Sequence, residues 1–331
     1  MDGIPRAYAA SRARREPARD HEQEPHVLGR VARLHYEHGL THQQIADALG
    51  LSRVKVTRLL AEARRTGVVE VRIHSDETLF TDLEVALTER YGLHQTWIAP
   101  TRDDLAQQLT SLGAVGAMAL RAAVRADMTI AVGLSTTVSA IVAHLKVDEP
   151  LDLRFVPATG SPPGSGDGPS AQEIARALAT AVGGRAHQLP APILAASTAS
   201  AELLRQEPDV AATLALAREA DVAVFGIGGT TPGAGLLMDG SVPATTIAAL
   251  VDAGAVGGIS AGFFDATGSP VRTELEARII GISLAELARI PVRIAVAGGV
   301  DKRAALAGAL AGHHLDVLVT DEDTARDLLA R

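Results

Sequence analysis

The chain has 331 residues, no cysteine and a formal net charge of −8, and 47% of its residues are hydrophobic. This length predicts about two domains, and the absence of cysteine excludes disulfides, thiolate zinc sites and cysteine nucleophiles. Only 3% of the residues are aromatic, which disfavours a protein that stacks single-stranded bases on aromatic side chains. No apolar run reaches the ~18 residues of a membrane span. Residues 1–25 lack the apolar core of a signal peptide, so we expect a soluble, cytoplasmic protein.

The charge is distributed unevenly along the chain. Residues 1–74 contain 13 basic and 9 acidic side chains, whereas the remainder contains 18 basic and 30 acidic ones. A basic N-terminal part before an acidic body predicts an anionic partner for the N-terminal part alone. Residues 1–25 mix arginine with glutamate and show no apolar periodicity, so we expect a disordered arm. A flexible arginine-bearing tail is the alternative explanation of the basic excess.

Residues 26–74 show the pattern of a winged helix-turn-helix. A first helix is predicted from His26, and Thr41 is placed to cap a second, short helix with Gln44 as its capping-box partner. Gly50 ends that helix, because glycine accepts the positive φ that a chain reversal needs. Ser52 caps a third helix, whose apolar residues are Val54, Val56, Leu59 and Leu60.

A strand after the third helix, formed by alternating Val69, Val71 and Ile73, completes this pattern. The donor-rich residues of the third helix stand near its N-terminal half, where recognition helices meet the base edges of double-stranded DNA. A three-helix protein-interaction module is the alternative. The residues expected at the DNA interface are Thr41, Gln43, Gln44, Ser52, Arg53, Lys55, Thr57 and Arg58.

From residue 75 to 331, short β-like runs alternate with helical patterns. Strands are predicted at 96–98, 128–132, 153–156, 221–225, 292–296 and 315–319. Helices are predicted at 79–91, 105–124, 136–145, 171–181, 304–310 and 324–329. Strands that are apolar on both faces and alternate with helices predict a Rossmann-like, mostly parallel α/β domain. The fold class is therefore α/β, with a helix-turn-helix at the N-terminus.

A turn suited to phosphate follows the predicted strand at 128–132. Its glycine, Gly133, lets the backbone approach an anion, and Ser135, Thr136 and Thr137 add hydroxyl donors at a helix N-terminus. The turn is neither a Walker loop nor a GxGxxG motif, so a nucleotide is not implied. An ordinary Ser/Thr helix cap is an equally good explanation.

Three further turns could carry chemistry. Gly228 belongs to a glycine-rich turn after the strand at 221–225, which forms either the opposite wall of the same crevice or a simple tight turn. Asp265, beside two phenylalanines, could accept hydrogen bonds from sugar hydroxyls or serve only as a turn aspartate. Lys302 stands at a helix start, where a positive charge is electrostatically unfavourable unless it faces an anion. It is therefore either a partner of a phosphate or carboxylate group or a solvated lysine. The histidines lack metal-ligand spacing, so no metal is expected.

Two regions of the chain resemble the SorC family of transcriptional regulators, and the resemblance covers about residues 27–330. The N-terminal region contains Gly39-Leu40-Thr41, Leu49-Gly50-Leu51-Ser52 and Val56-Thr57-Arg58-Leu59-Leu60. The C-terminal region contains Arg278-Ile279-Ile280-Gly281-Ile282, Val296-Ala297-Gly298-Gly299 and Leu315-Asp316-Val317-Leu318-Val319. Ala277 departs from the family, in which an aspartate often precedes the arginine, and segment 160–170 is unusually rich in proline and glycine.

The resemblance implies a sugar-binding regulator that assembles as a dimer or tetramer. Its effector domain would be similar in fold to sugar-phosphate isomerases and glucosamine-phosphate deaminases, without their activity. By the same resemblance, Gly133, Ser135, Thr136 and Thr137 would hold the effector phosphate, Asp265 would contact hydroxyls and Lys302 would lie near the anionic group.

These observations predict a regulator of carbohydrate metabolism whose operator binding is controlled by a small phosphorylated sugar or polyol, with no cofactor. The alternative is a sugar-phosphate isomerase or deaminase fused to a DNA-binding head. Such an enzyme needs a base near the glycine loop, and Asp239 is the first acid after it. A protein-interaction module without a ligand would leave the phosphate-type turn and Lys302 unexplained.

Overall fold

The computed structural model describes residues 24–69, 80–147, 149–162, 170–231 and 242–331. The chain divides into two compact units, residues 1–78 and 79–331. The predicted disordered arm comprises residues 1–25; residues 1–23 and the predicted wing strand beyond Val69 lie outside the described residues, whereas Glu24 and Pro25 already belong to the first helix. The proposed domain limits at 25/26 and 74/75 therefore remain predictions.

The first unit contains the predicted helix-turn-helix. Its described helices are α1 Glu24–Tyr36, α2 His42–Leu49 and α3 Arg53–Arg65. The predicted capping box between Thr41 and Gln44 is present, and the Ser52 hydroxyl caps α3. Gly50 ends α2 with a φ of 67°, as expected for a tight turn between two helices. Apolar residues on the inner faces of the three helices, including Val31, Ile45, Val56 and Leu60, form a compact core.

The second unit contains a seven-stranded parallel sheet, in the order β1-β10-β9-β5-β2-β3-β4. The strands are β1 Gln95–Ala99, β2 Thr129–Val132, β3 Arg154–Pro157, β4 Arg185–Ala186, β5 Val222–Phe225, β9 Val292–Val296 and β10 Val317–Asp321. A second, antiparallel sheet consists of β6 Gly228–Gly229, β7 Gly257–Ile259 and β8 Gly262–Phe264. The parallel sheet confirms the predicted fold class, whereas its short edge strand β4 and the small sheet were not predicted.

Helices lie along both faces of the large sheet, because alternate residues of its strands enter two different apolar cores. The helices are α4 Thr81–Tyr91, α5 Leu105–Ala123, α6 Thr136–Ile141, α7 Ala171–Val182, α8 Thr198–Gln206, α9 Pro208–Arg218, α10 Ala244–Asp252, α11 Glu274–Arg278, α12 Leu284–Leu287, α13 Arg303–Ala311 and α14 Glu322–Ala330. Helix α6 is shorter than predicted, and α8 to α12 were not predicted. Across the described ranges, every helix is too short or too polar to cross a membrane.

The strand order reverses between β2 and β5. From β2 the chain adds β3 and β4 on one side, and from β5 it adds β9 and β10 on the other. The carboxyl ends of β2 and β5 therefore lie side by side, with their flanking loops on the same edge of the sheet. In open α/β sheets, ligands bind in the crevice at such a reversal. The loops that follow β2, β5 and β9 are therefore the candidate ligand-binding loops.

Candidate functional site

Three loops meet at the carboxyl edge of the sheet, and we call them the carboxyl-edge loops. They are residues 133–137 after β2, residues 226–231 after β5 and residues 297–302 after β9. Strand β5 pairs with β2 on one side and with β9 on the other, so the three loops are neighbours. All the residues predicted to bind the effector, except Asp265, belong to these loops.

Two glycines allow the first two loops to come into contact. A Cβ atom on Gly226 would clash with the Ser135 hydroxyl and would lie 2.7 Å from the Ser135 Cβ atom. A Cβ atom on Gly133 would lie 2.8 Å from the Cβ atom of Phe225. The Gly133 N–H donates to the carbonyl of Val224 at 2.8 Å, so this amide extends the sheet and is not available to an anion. Gly133 therefore shapes the loop without supplying the predicted backbone donor.

The hydroxyl groups of the first loop have different environments. Ser135 caps α6, and its Oγ lies 2.8 Å from the Thr137 Oγ1. Thr137 donates to the carbonyl of Val296, the last residue of β9, at 2.6 Å. Thr136 is exposed, and the amides of the first turn of a helix have no acceptor within the helix. The loop thus offers an exposed hydroxyl and backbone donors, while Thr137 ties it to β9.

A buried aspartate that the sequence reasoning did not single out fixes the third loop. Asp321, at the end of β10, is only 1% exposed. Its Oδ2 accepts from the Gly299 N–H at 2.7 Å and from the Thr324 hydroxyl at 2.8 Å, and its Oδ1 accepts from the Thr324 N–H at 2.9 Å. A side chain at Gly298 would clash with this carboxylate. The position of an acid directly after a buried strand was the only signal in the sequence.

Lys302 ends the short 3-10 turn that follows Gly299, immediately before α13. The side chain is half-buried, at the same edge of the sheet as the first two loops. The Thr231 hydroxyl donates to the carbonyl of Asp301 at 3.4 Å, which links the second loop to this turn. Gly228 is half-buried in β6, where it pairs with Gly258. Lys302 and Gly228 therefore belong to loops at the same edge of the sheet as the phosphate-type turn.

Asp265 lies outside the carboxyl-edge loops, in the turn that follows β8. Its Oδ1 accepts from the N–H and hydroxyl of Thr267 and from the N–H of Ser269, at 2.9, 2.7 and 2.9 Å. The hydrogen bond from the Thr267 hydroxyl is the main reason that the pKa of Asp265 falls below its ordinary value. A Cβ atom on Gly308 would lie 2.8 Å from the Asp265 carbonyl, which places this turn beside the C-terminal half of α13. The geometry favours a turn aspartate over the predicted sugar contact.

Phe263 and Phe264, next to Asp265, are buried at 1% and 0% exposure and belong to the apolar cores. His314 packs against the same region, since its Nε2 lies 2.8 Å from the Gly268 carbonyl and its ring 5.2 Å from that of Phe264. Burial lowers the pKa of His314, and repulsion from Arg293 acts in the same direction. The turn at 265–269 is thus an exposed turn supported by the packed residues Phe264 and His314.

This packing predicts a pH-dependent stability. Folding lowers the pKa of His314, so this histidine contributes to the free energy of unfolding. The contribution is complete above the unfolded-state pKa of ~6.5 and is lost as the pH falls below that value. We expect His314→Asn to flatten the fall in the free energy of unfolding between about pH 7 and about pH 5. The control is His94→Asn, at an exposed histidine that does not contribute to the pKa shift of His314, and this variant should keep the wild-type slope. Denaturant unfolding at several pH values measures this, and equal slopes for His314→Asn and the wild type would contradict it.

In the helix-turn-helix, several of the predicted DNA contacts maintain the local fold. The Gln44 side chain accepts from the Thr41 N–H at 2.9 Å, and the Ser52 hydroxyl accepts from the Lys55 N–H at 3.1 Å. The Thr57 hydroxyl donates to the carbonyl of Arg53 at 3.1 Å. These side chains stabilise α2 and α3 through hydrogen bonds within the first unit.

Two histidines also support this arrangement, and the sequence reasoning missed them. The Nδ1 of His42 lies 3.1 Å from the Thr57 hydroxyl, which connects α2 to α3. The Nδ1 of His35 lies 3.0 Å from the carbonyl of Leu40, and the two histidine rings are 5.1 Å apart. Gln43 donates to Asp47 at 2.9 Å along the exposed side of α2.

The outer surface of α3 is cationic. Arg53, Lys55 and Arg58 are exposed, and their side chains form no hydrogen bond or ion pair within the described part of the chain. They lie on the helix that follows the tight turn, which is the position of a recognition helix. Val54, between Arg53 and Lys55, is 79% exposed and does not belong to the core with the other apolar residues of α3.

The fold defines a class: a helix-turn-helix protein with an open, parallel α/β domain, in which ligands generally bind at the carboxyl edge of the sheet. Residues 76–330 match the family model Sugar-bind, described as "Putative sugar-binding domain", and residues 21–85 match a Crp-like helix-turn-helix domain. The chain belongs to the SorC family of sugar-binding transcriptional regulators, as the sequence resemblance predicted.

Among the described residues, no group of three or more His, Cys, Asp or Glu side chains could hold a metal ion.

Similar proteins cover nearly all of the chain. It is 33% identical to the transcriptional regulator LsrR of Klebsiella pneumoniae, over 93% of this chain and 94% of that one. It is 31% identical to the erythritol catabolism regulatory protein EryD of Brucella abortus, over 91% and 96%. The full-length sorbitol operon regulator SorC of Klebsiella pneumoniae has a similar fold, with a TM-score of 0.72 at 24% identity over 93% and 100% of the two chains.

Proposed function

We propose that this chain binds operator DNA through α3 and that a small phosphorylated sugar or polyol, bound at the carboxyl-edge loops, controls this binding. The observation that carries the proposal is the contact between the loops after β2 and β5 at the reversal of the strand order, with Lys302 on the third loop. The names of the relatives refer to erythritol catabolism and to a sorbitol operon, which supports a sugar or polyol as the effector class.

The anionic group of the effector would lie at the start of α6. The exposed Thr136 hydroxyl and the amides of the first turn would donate to it, and the Lys302 ammonium would provide a positive charge. Gly228 would form part of the opposite wall, where the absence of a side chain leaves room for the ligand. Gly133 and Ser135 would maintain the shape of the loop.

Control of DNA binding requires that the effector bind one arrangement of the subunits better than another. We propose a homo-oligomer, a dimer or tetramer, that acts in the cytoplasm, where the operator is accessible. The excess of acidic residues after residue 74 would repel DNA from the second unit and confine the contact to the basic helix-turn-helix.

Variants in α3 and in the carboxyl-edge loops test whether the first site binds DNA and the second binds the effector. Arg53→Ala and Lys55→Ala should each weaken binding to a duplex selected by the protein from a randomised library by about tenfold, and leave effector binding unchanged. Thr136→Ala should weaken effector binding and leave the affinity for DNA unchanged. DNA binding is measured by fluorescence anisotropy, and effector binding by thermal shift against sugar phosphates and free polyols. Loss of effector affinity in Arg53→Ala or Lys55→Ala, or loss of DNA affinity in Thr136→Ala, would contradict the assignment of the two sites.

The alternative, a sugar-phosphate isomerase or deaminase with a DNA-binding head, has weaker support. The relatives reported above are named as a transcriptional regulator and a regulatory protein, and Asp239, the nearest acid after the second loop, lies outside the described residues. Turnover of a sugar phosphate that Asp239→Asn abolishes would establish this alternative.

A further inference from the structure

The most exposed large apolar side chain in the described part of the chain is Val54, in the first turn of α3. The other large apolar residues of this helix, Val56, Leu59 and Leu60, face the core. A valine that is 79% exposed among basic residues gains nothing from the fold of its own domain. This position therefore points to a contact outside the chain.

Helical geometry places Val54 at the centre of the outward face of α3. Residues four and seven positions further along a helix share its face, and here these are Arg58 and Ala61, both exposed. Arg53 and Lys55 flank Val54 on either side along the chain. A DNA backbone that meets these cations brings the bases of the major groove to the side chain between them.

The hydroxyl and amide groups nearby are already engaged. The Thr57 hydroxyl donates to the Arg53 carbonyl, the Ser52 hydroxyl caps the helix and Gln44 completes the capping box. Val54 thus adds an apolar surface to a face whose free polar groups are long cations. Because valine is stiff at χ1, little side-chain entropy is lost when it packs against a partner.

We propose that Val54 contacts the C5-methyl group of a thymine in the operator and makes that base pair part of the recognised sequence. This inference rests on the proposed DNA-binding function. In the major groove, the thymine methyl is the apolar group that distinguishes one base pair from the others. Burial of a methyl-sized group contributes roughly 0.8 kcal/mol, which is about a fourfold change in affinity per contact.

The test removes only the methyl group from the DNA. A duplex that the full-length protein enriches from a randomised library is prepared with each thymine replaced in turn by deoxyuridine, which keeps base pairing. We expect wild-type affinity to fall about fourfold at one position in each half-site. Val54→Ala should bind the unmodified duplex about fourfold more weakly and lose its sensitivity at that position. A second selection with Val54→Ala should no longer prefer thymine there.

The control is Val85→Ala, which changes a 50% exposed valine on α4 in the other unit and should keep the wild-type sensitivity to deoxyuridine. Equal sensitivity of Val54→Ala and the wild type, or no sensitive thymine, would overturn this inference while leaving DNA binding intact. So would a Val54→Ala variant that changes the oligomeric state but not DNA binding. Failure of the wild type to enrich any sequence would instead contradict the proposed function, and this inference with it.

Discussion

Replacing Gly226 by alanine should strongly weaken the response to the effector and leave operator binding intact. The new Cβ atom would lie 2.7 Å from the Cβ atom of Ser135, so rotation of the Ser135 hydroxyl cannot relieve the overlap. The backbone of the first carboxyl-edge loop must therefore shift away from β5. Overpacking of this kind destabilises a protein by about 1–3 kcal/mol. Effector affinity should fall at least about tenfold, since a misplaced donor loses its hydrogen bond.

The matched control for Gly226→Ala is Gly29→Ala. Gly29 lies in α1, and a Cβ atom there would meet nothing within 4 Å. Alanine in the interior of a helix is favoured over glycine by roughly 0.5–1 kcal/mol, so this variant should be unchanged or slightly more stable. Effector binding is measured by calorimetric titration. A Gly226→Ala protein with wild-type effector affinity would show that the contact between the first two loops does not shape the site.

Asp321→Asn should cause a large loss of stability in the second unit. Each carboxylate oxygen of Asp321 accepts from two donors, which include the N–H of Gly299 and the hydroxyl and N–H of Thr324. Asparagine has one oxygen and one amide nitrogen, so in either orientation one backbone N–H, that of Gly299 or that of Thr324, would face the amide N–H groups, whereas the threonine hydroxyls can rotate to accept from them. Such a mismatch should lower the free energy of unfolding by about 1–3 kcal/mol.

The control for Asp321→Asn is Asp323→Asn in the first turn of α14, the helix that Asp321 caps. Asp323 is exposed, so its change should stay within about 0.5 kcal/mol. Both variants are compared by denaturant unfolding of the full-length chain. Because Gly299 precedes the Lys302 turn, Asp321→Asn should also weaken effector binding. Equal stability of the two variants would mean that the buried carboxylate does not organise the third loop.

Features that depend on a few consecutive residues could be predicted from the sequence. The capping box of Thr41 and Gln44, the cap at Ser52 and the turn at Gly50 each follow from the chemistry of neighbouring residues. The buried strands of the large sheet are apolar on both faces, so their positions were also predictable. The phosphate-type turn could be recognised because a strand, a glycine and hydroxyl residues follow one another directly.

Features that depend on distant parts of the chain could not be predicted. Strands β6 to β8 are short and rich in glycine, so they show no alternation of side chains. The role of Asp321 depends on the pairing of β10 with β9, and the place of Asp265 depends on the packing of its turn against α13. The exposure of Val54 likewise depends on which side of α3 meets α1 and α2.

The central claim is that a ligand at the carboxyl-edge loops controls DNA binding by the first unit. The most direct measurement is the affinity of the full-length chain for its selected duplex, with and without a saturating sugar phosphate that the thermal-shift screen identifies. Wild-type affinity should change about 5- to 150-fold, the usual range of allosteric coupling, while Gly226→Ala should need at least about tenfold more of the sugar phosphate for the same change. An unchanged wild-type affinity, or the same dependence on sugar-phosphate concentration in both proteins, would contradict the account.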